Sequence, residues 1–446
     1  MLMTEWNNKT VRALLWPLIV EQLLAVTIGI VDTVMVSSAG EAAVSGVSLV
    51  DQINQLLIII FTALATGGSV VASQYIGRKD SKNCAASSKQ MMLANTVLSV
   101  FLMVVTLIFY KYILYAAYGK MEDEVTQNAR VYFRITSLSF PFFALYTSSA
   151  SLFRAMGNSR IPMFTAVFMN VINIIFNWIF IIVLKTGVAG AAASTLICRI
   201  AGCVLIFILQ CKDKYAPIYP ENIHKTKLDA LAIKKILRIG VPAAVESSLF
   251  QFGKILLARL VTDFGTAAIA ANAVTGAIAS FVYMPGTGFG MAILTITGQC
   301  LGAKDYEGAK LWTFRLIRLT YIVIVSLNIM NLLCMDMWLK LFNLQSETVA
   351  LTQKYLTLHC ITSSIAWPLS FALPNALRAA GDVKFVMISA VCTMWFVRIS
   401  SSYLCAYVFG FEGLSVWIGM GLDFFFRAVI FTTRWKRGKW RSKNVI

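Results

Sequence analysis

Five carboxylates stand inside long apolar stretches of this 446-residue chain: Glu21, Asp32, Asp51, Glu246 and Asp423. A charged side chain near the centre of a bilayer costs about 2.5–3.5 kcal/mol on insertion scales. Such a group is retained where it faces a cavity, pairs with a cation or binds an ion. Desolvation favours the neutral form of a carboxylate and a nearby cation favours the charged one. Carboxylates in this setting are therefore suited to taking up and releasing H+ or Na+. Eleven residues separate Glu21 from Asp32. At 100° per residue they share one helix face, roughly 16 Å apart along the axis.

Other polar groups accompany them. Asn170, Asn173 and Asn177 fall within about 60° of one another on a helix, and their amide oxygens can ligate Na+ or hydrogen-bond a protonated acid. Ser48, Asp51, Gln52, Asn54 and Gln55 form a polar stripe that must face a protein interior. Arg199, Lys254, Arg259 and Arg398 also lie in apolar runs. Lys254 stands eight residues beyond Glu246, about 80° around the helix, so it cannot pair with Glu246 directly; it can reach another acid, and its role is open. Tyr146, Phe250, Phe281, Tyr283, Met284 and Met291 are of the types that line a deformable pocket for hydrophobic cations. Plainer roles compete with each of these. Glu21 and Glu246 can hold helices together, asparagines join helices, and Asp423 can pair with Arg427 one turn on.

The elements that position these groups must be membrane helices. The chain is 58% hydrophobic and 13% charged, against about 25% charged in soluble domains. Apolar runs occupy 13–36, 44–70, 91–110, 131–153, 161–184, 188–210, 239–262, 268–297, 313–335, 355–377, 383–409 and 413–433. Twelve helices of about 20 residues fit this length. No cleavable signal peptide is expected, since residues 6–36 read as a retained first helix. Assigning the intervening segments alternately to two sides places 27 Lys and Arg on one side and 7 on the other. Basic loops resist translocation, so both termini are expected in the cytoplasm. The net charge of +18 thus reports orientation in the plasma (inner) membrane, and no nucleic-acid partner is expected.

The sequence is also duplicated. Residues 17–80 align without a gap on 242–305, with 15 of 64 positions identical, including Pro17/Pro242, Glu21/Glu246, Gly40/Gly265, Gln74/Gln299 and Asp80/Asp305. Further along, Arg154-Ala-Met-Gly157 matches Arg378-Ala-Ala-Gly381. Pro17/Pro242 and Pro141/Pro368 suggest shared kinks. The expected fold is an all-α polytopic membrane protein. Its twelve transmembrane helices form two six-helix lobes related by a pseudo-two-fold axis along the membrane normal. The expected divisions are a lobe at 1–210, a charged linker at 211–238 with a short surface helix near Leu228–Leu237, and a lobe at 239–446. Asp32 and Asp51 have Leu257 and Gly276 as their counterparts, so the acidic cluster belongs to the first lobe alone.

Enzymatic readings lack their residues. There is no Walker A sequence, the two histidines (His224 and His359) lie far apart in sequence, and the nine cysteines form no CxxC. No resident metal or cofactor is expected, only the coupling ion.

Several segments resemble the multidrug and toxic compound extrusion family of cation-coupled exporters. They are Val31-Asp32-Thr33-Val34-Met35-Val36, the stretch Ala43–Asp51, Gln74-x-x-Gly77, Arg154-Ala-Met-Gly157 and Asn170-x-x-Asn173-x-x-x-Asn177. The resemblance covers nearly the whole chain. It implies alternating access and export of amphipathic organic cations by a monomer, in exchange for H+ or Na+. It further implies a coupling role for Asp32 in the first helix and for Glu246 early in the seventh. Two acids found in some relatives are missing: Asn177 stands where a fifth-helix aspartate is found, and Ser363 to Leu377 carries no acid. A rival within transport is a lipid-linked oligosaccharide flippase or polysaccharide exporter of related fold. That reading needs a cationic cavity, for which Lys254 and Arg398 are the candidates.

Overall fold

The computed structural model describes residues 6–212, 218–219, 229–342, 344–443 and 445–446. His224, Pro217, Pro220 and half of the expected linker lie outside the described residues. All regular structure among the described residues is helical. In chain order, α1 is Asn8–Ser37, α2 Glu41–Gly77, α3 Ser81–Tyr118, α4 Asp123–Ser137, α5 Phe140–Ala155, α6 Arg160–Asn177 and α7 Gly187–Lys212. Then come α8 Ala230–Thr262, α9 Gly265–Gly302, α10 Tyr306–Leu333, α11 Met335–Leu341, α12 Ser346–Trp367, α13 Leu373–Ala379, α14 Val383–Cys392, α15 Ser400–Tyr407 and α16 Ser415–Lys436.

Among the described residues, ten helices or joined helices are long and apolar enough to cross a membrane. Two expected spans fall short of that standard. The run 131–153 is divided by a turn at Leu138–Ser139, which separates α4 from α5, and Pro141 lies in the first turn of α5. The run 239–262 belongs to α8, whose Lys234, Lys235, Arg238, Glu246, Lys254 and Arg259 dilute its apolar character. Nor is there a separate surface helix before it: α8 is continuous from Ala230. Asp229 Oδ1 caps its start, accepting from the backbone N–H of Leu231 and Ala232 at 2.9 and 3.3 Å, and the helix runs on through Pro242 to Thr262.

Two compact units divide the chain, Met1–Val241 with Ile446, and Pro242–Val445. The backbone repeats between them. Lys79 and Lys304 both take left-handed conformations, with φ of 60° and 61°, where α2 and α9 end. Asp80 and Asp305 then cap α3 and α10 through the N–H of Asn83 and Gly308. Gly157 and Gly381 end the two Arg-Ala-x-Gly turns at φ of 82° and 83°, a region that a side chain would strain. The proline pairs behave differently. Pro17 and Pro242 lie inside α1 and α8. Pro141 follows a break, whereas Pro368 opens a π-helical turn, Pro368–Ala372, that keeps α12 and α13 joined.

Lipid is the solvent for the outer faces. Phe101, Ile108, Tyr112 and Tyr115 on α3 are all more than 60% exposed, an apolar stripe that water would not tolerate. Inside the first unit, small residues bring backbones together. A Cβ on Gly67 of α2 would stand 2.6 Å from the Ile236 carbonyl oxygen of α8. Membrane helices rely on this kind of contact, because lipid leaves no hydrophobic driving force between them.

Candidate functional site

In the first unit, α6 ends at Asn177, where the helix widens into a π-helical turn, Trp178–Val183. The Asn177 amide nitrogen donates to Asp32 Oδ1 of α1 at 2.5 Å, and to Asn173 Oδ1 at 3.1 Å. The Asn177 carbonyl oxygen is buried and has no partner. Asp51 of α2 acts electrostatically on Asp32, as does Arg199 of α7. Tyr132 and Asn54 are within hydrogen-bonding reach of Asp51. Arg199 Nη1 donates to Ser139 Oγ at 2.7 Å, and its guanidinium lies 4.8 Å from the Phe143 ring. Two carboxylates thus face one guanidinium, leaving this site acidic. Asn170 is placed elsewhere, with its amide reaching the Leu24 carbonyl at 3.4 Å, a link between α6 and α1.

The other intramembrane acids are paired. Glu21 Oε1 meets Arg154 Nη1 at 2.7 Å, and Glu246 Oε1 meets Arg378 Nη2 at 2.7 Å. Asp423 Oδ1 meets Arg427 Nε at 2.7 Å, one turn along α16, as its spacing suggests. Glu246, expected as a second coupling acid, is therefore a carboxylate held by a guanidinium that joins α8 to α13. Its Oε2 and that of Glu21 are buried without partners.

The residues proposed for a drug pocket are dispersed. Tyr146 is buried in the first unit. In the second, Met284 is buried, Met291 is half-buried, and Phe281 is 52% exposed. Tyr283 alone of these six lines a cavity of about 250 Å³, together with Lys254 and Arg398. Phe250 lies beside it, 5.7 Å from Lys254 Nζ and 5.8 Å from the Arg398 guanidinium. The lining of this cavity holds no acid beside Lys254 and includes a second cation, Arg398. Sequence reasoning missed Tyr132 and the 173–177 amide chain's direct hold on Asp32. The asparagine spacing was the available signal for the latter.

Helical throughout its described residues, with lipid-facing outer surfaces and a repeated unit, the chain has the architecture of a membrane transporter. The MatE family model matches residues 17–179 and again 242–404, two stretches offset by the same 225 positions as the repeat. The chain belongs to this family, the multidrug and toxic compound extrusion transporters. It is 26% identical over 443 residues to the uncharacterized transporter YisQ of Bacillus subtilis, covering 97% of this chain and 95% of that one. It is 27% identical over 385 residues to the probable multidrug resistance protein YoeA of the same organism, covering 85% and 82%. Its fold is similar to a crystal structure of MATE in the bent conformation, with a TM-score of 0.90 at 17% identity, covering 97% and 95% of the chains.

Proposed function

We propose that this protein is a secondary antiporter that exports amphipathic, mainly cationic organic compounds in exchange for H+ or Na+. It would sit in the inner membrane as twelve spans, six per unit, with a pseudo-two-fold along the membrane normal, both termini cytoplasmic, and no partner subunit. The observation that carries the reading is the Asp32–Asn177 contact beside Asp51, with the Asn177 carbonyl oxygen left unpaired. Two neighbouring carboxylates repel, and a proton or Na+ arriving between them relieves that repulsion. The free amide oxygen supplies a ligand to Na+ or an acceptor for a protonated Asp32. Ion arrival and departure would then alter how α1 packs on α6, with Pro17 weakening the α1 ladder. The name of the relative YoeA points to drug efflux.

The test is ethidium efflux from vesicles containing the purified protein, with proton and sodium gradients imposed separately. Efflux that depends on one of the gradients supports antiport. Equal efflux with and without both gradients contradicts it.

A further inference from the structure

The interior of the second unit has the opposite charge to that of the first. Three cations surround the Phe250 ring: Lys254 Nζ at 5.7 Å, and the guanidiniums of Arg398 at 5.8 Å and Arg427 at 5.2 Å. One carboxylate, Asp423, serves the three, and its Oδ1 is taken by Arg427. Two positive charges are therefore unmatched within a membrane-spanning region, where each costs energy.

These charges face a cavity. Lys254 and Arg398 both line the space of about 250 Å³, and so do Leu257 and Gly276. Those last two are the repeat counterparts of Asp32 and Asp51. The place that is acidic in the first unit is cationic in the second. Arg398 is only 6% exposed, yet its Nε has no hydrogen-bond partner. It lies in a π-helical turn, Thr393–Ile399, a distortion that often marks functional positions. Trp417, also in the wall, keeps its indole N–H buried and unpartnered. Tyr283 supplies an aromatic wall, held by stacking on Trp367 at 5.1 Å and by its hydroxyl on His359 Nδ1 at 3.2 Å. Unsatisfied buried donors beside uncompensated charge are costly unless something completes them.

We infer that this cavity in the second unit is a binding site for an aromatic organic anion. Its carboxylate or other acidic head is received by Arg398 and Lys254, and its ring lies against Tyr283 and Trp417. Guanidinium and ammonium donors on a carboxylate are among the stronger hydrogen bonds. The ring gains contact with two aromatic faces. The inference goes beyond cation export, since it assigns a second ligand class to a different unit. It is read by binding with no ion gradient, so its failure is distinguishable from failure of the antiport reading.

The experiment is titration of naphthoate, with the uncharged naphthamide as control, into the full-length protein in phosphatidylcholine nanodiscs by calorimetry. Saturable naphthoate binding is expected, with naphthamide weaker by about tenfold or more. Lys254→Gln and Arg398→Gln are each expected to weaken naphthoate by a similar factor, and Lys254→Arg to restore it. Gly276→Asp tests the same point without removing a buried group. A Cβ at Gly276 meets nothing within 4 Å, so the new carboxylate enters open space and should abolish binding. Repeating the titration in phosphatidylglycerol nanodiscs separates the sources of the anion. Undiminished binding supports a soluble aromatic acid as the occupant, whereas naphthoate displaced by the lipid would overturn the aromatic assignment in favour of a lipid phosphate. Absence of saturable binding, equal affinity for naphthamide, or unchanged affinity in Lys254→Gln and Gly276→Asp would overturn the inference.

Discussion

Arg154 Nη1 lies 2.7 Å from Glu21 Oε1, joining α5 to α1, and 2.7 Å also separates Arg378 Nη2 from Glu246 Oε1 between α13 and α8. The two ion pairs are the same device built twice. In each, one carboxylate oxygen is engaged and the other is buried without a partner.

Removing one partner leaves the other charge poorly solvated. Glu21→Gln is expected to destabilise the protein by about 3 kcal/mol, the lower end of the range for a broken buried pair, because both side chains keep slight exposure. The double variant Glu21→Gln, Arg154→Met is expected to recover much of the loss. Thermal melting in detergent checks both, and the same pattern should appear for Glu246 with Arg378. A Glu21→Gln protein melting at the wild-type temperature would contradict the assignment.

The asparagines of α6 separate by role. Asn177 holds Asp32, whereas Asn170 reaches only the Leu24 carbonyl. Asn177→Ala is expected to reduce ion-driven efflux about tenfold, the scale of one lost hydrogen bond to a charged group. Asn170→Ala should shift the melting temperature and leave the ion dependence of efflux in place. Measuring efflux against ion concentration distinguishes them, and equal effects from both substitutions would count against the site.

Two glycines give opposite expectations from packing. Gly67→Ala would drive a methyl into the Ile236 carbonyl and the Gly240 backbone, which cannot swing aside as a side chain does. A loss of about 1–3 kcal/mol is expected from such overpacking. Gly276→Ala meets open space and gains helix propensity, so its stability should be unchanged or slightly higher. Parallel melts of the two variants provide the check.

Much of this arrangement was legible before any coordinates. The gapless 225-residue repeat placed Glu21 opposite Glu246, and the later Arg-Ala-x-Gly match placed Arg154 opposite Arg378, but neither gave the bond between glutamate and arginine. That bond depends on how α1 packs on α5, which no spacing within one helix reveals. The Asp423–Arg427 pair was readable because both residues share one helix at a four-residue interval. The Leu138–Ser139 break was hidden by an unbroken apolar run. Asp229, a capping residue just ahead of the run, signalled the true start of α8, yet the charges after it read as linker. The cationic character of the second unit was partly visible, since Lys254 and Arg398 stood out as cations in apolar runs, but their meeting with Arg427 was not. Lys254, Arg398 and Arg427 come from three helices and meet only around Phe250.

The central claim is that Asp32 is the carboxylate through which a coupling ion drives export. Ethidium efflux from vesicles holding equal amounts of wild-type protein and Asp32→Asn, under the gradient that drives the wild type, tests it most directly. The expected result is loss of gradient-driven efflux by at least about tenfold, with the variant folded and melting near the wild-type temperature. Gradient-driven efflux at the wild-type rate in Asp32→Asn would contradict the account.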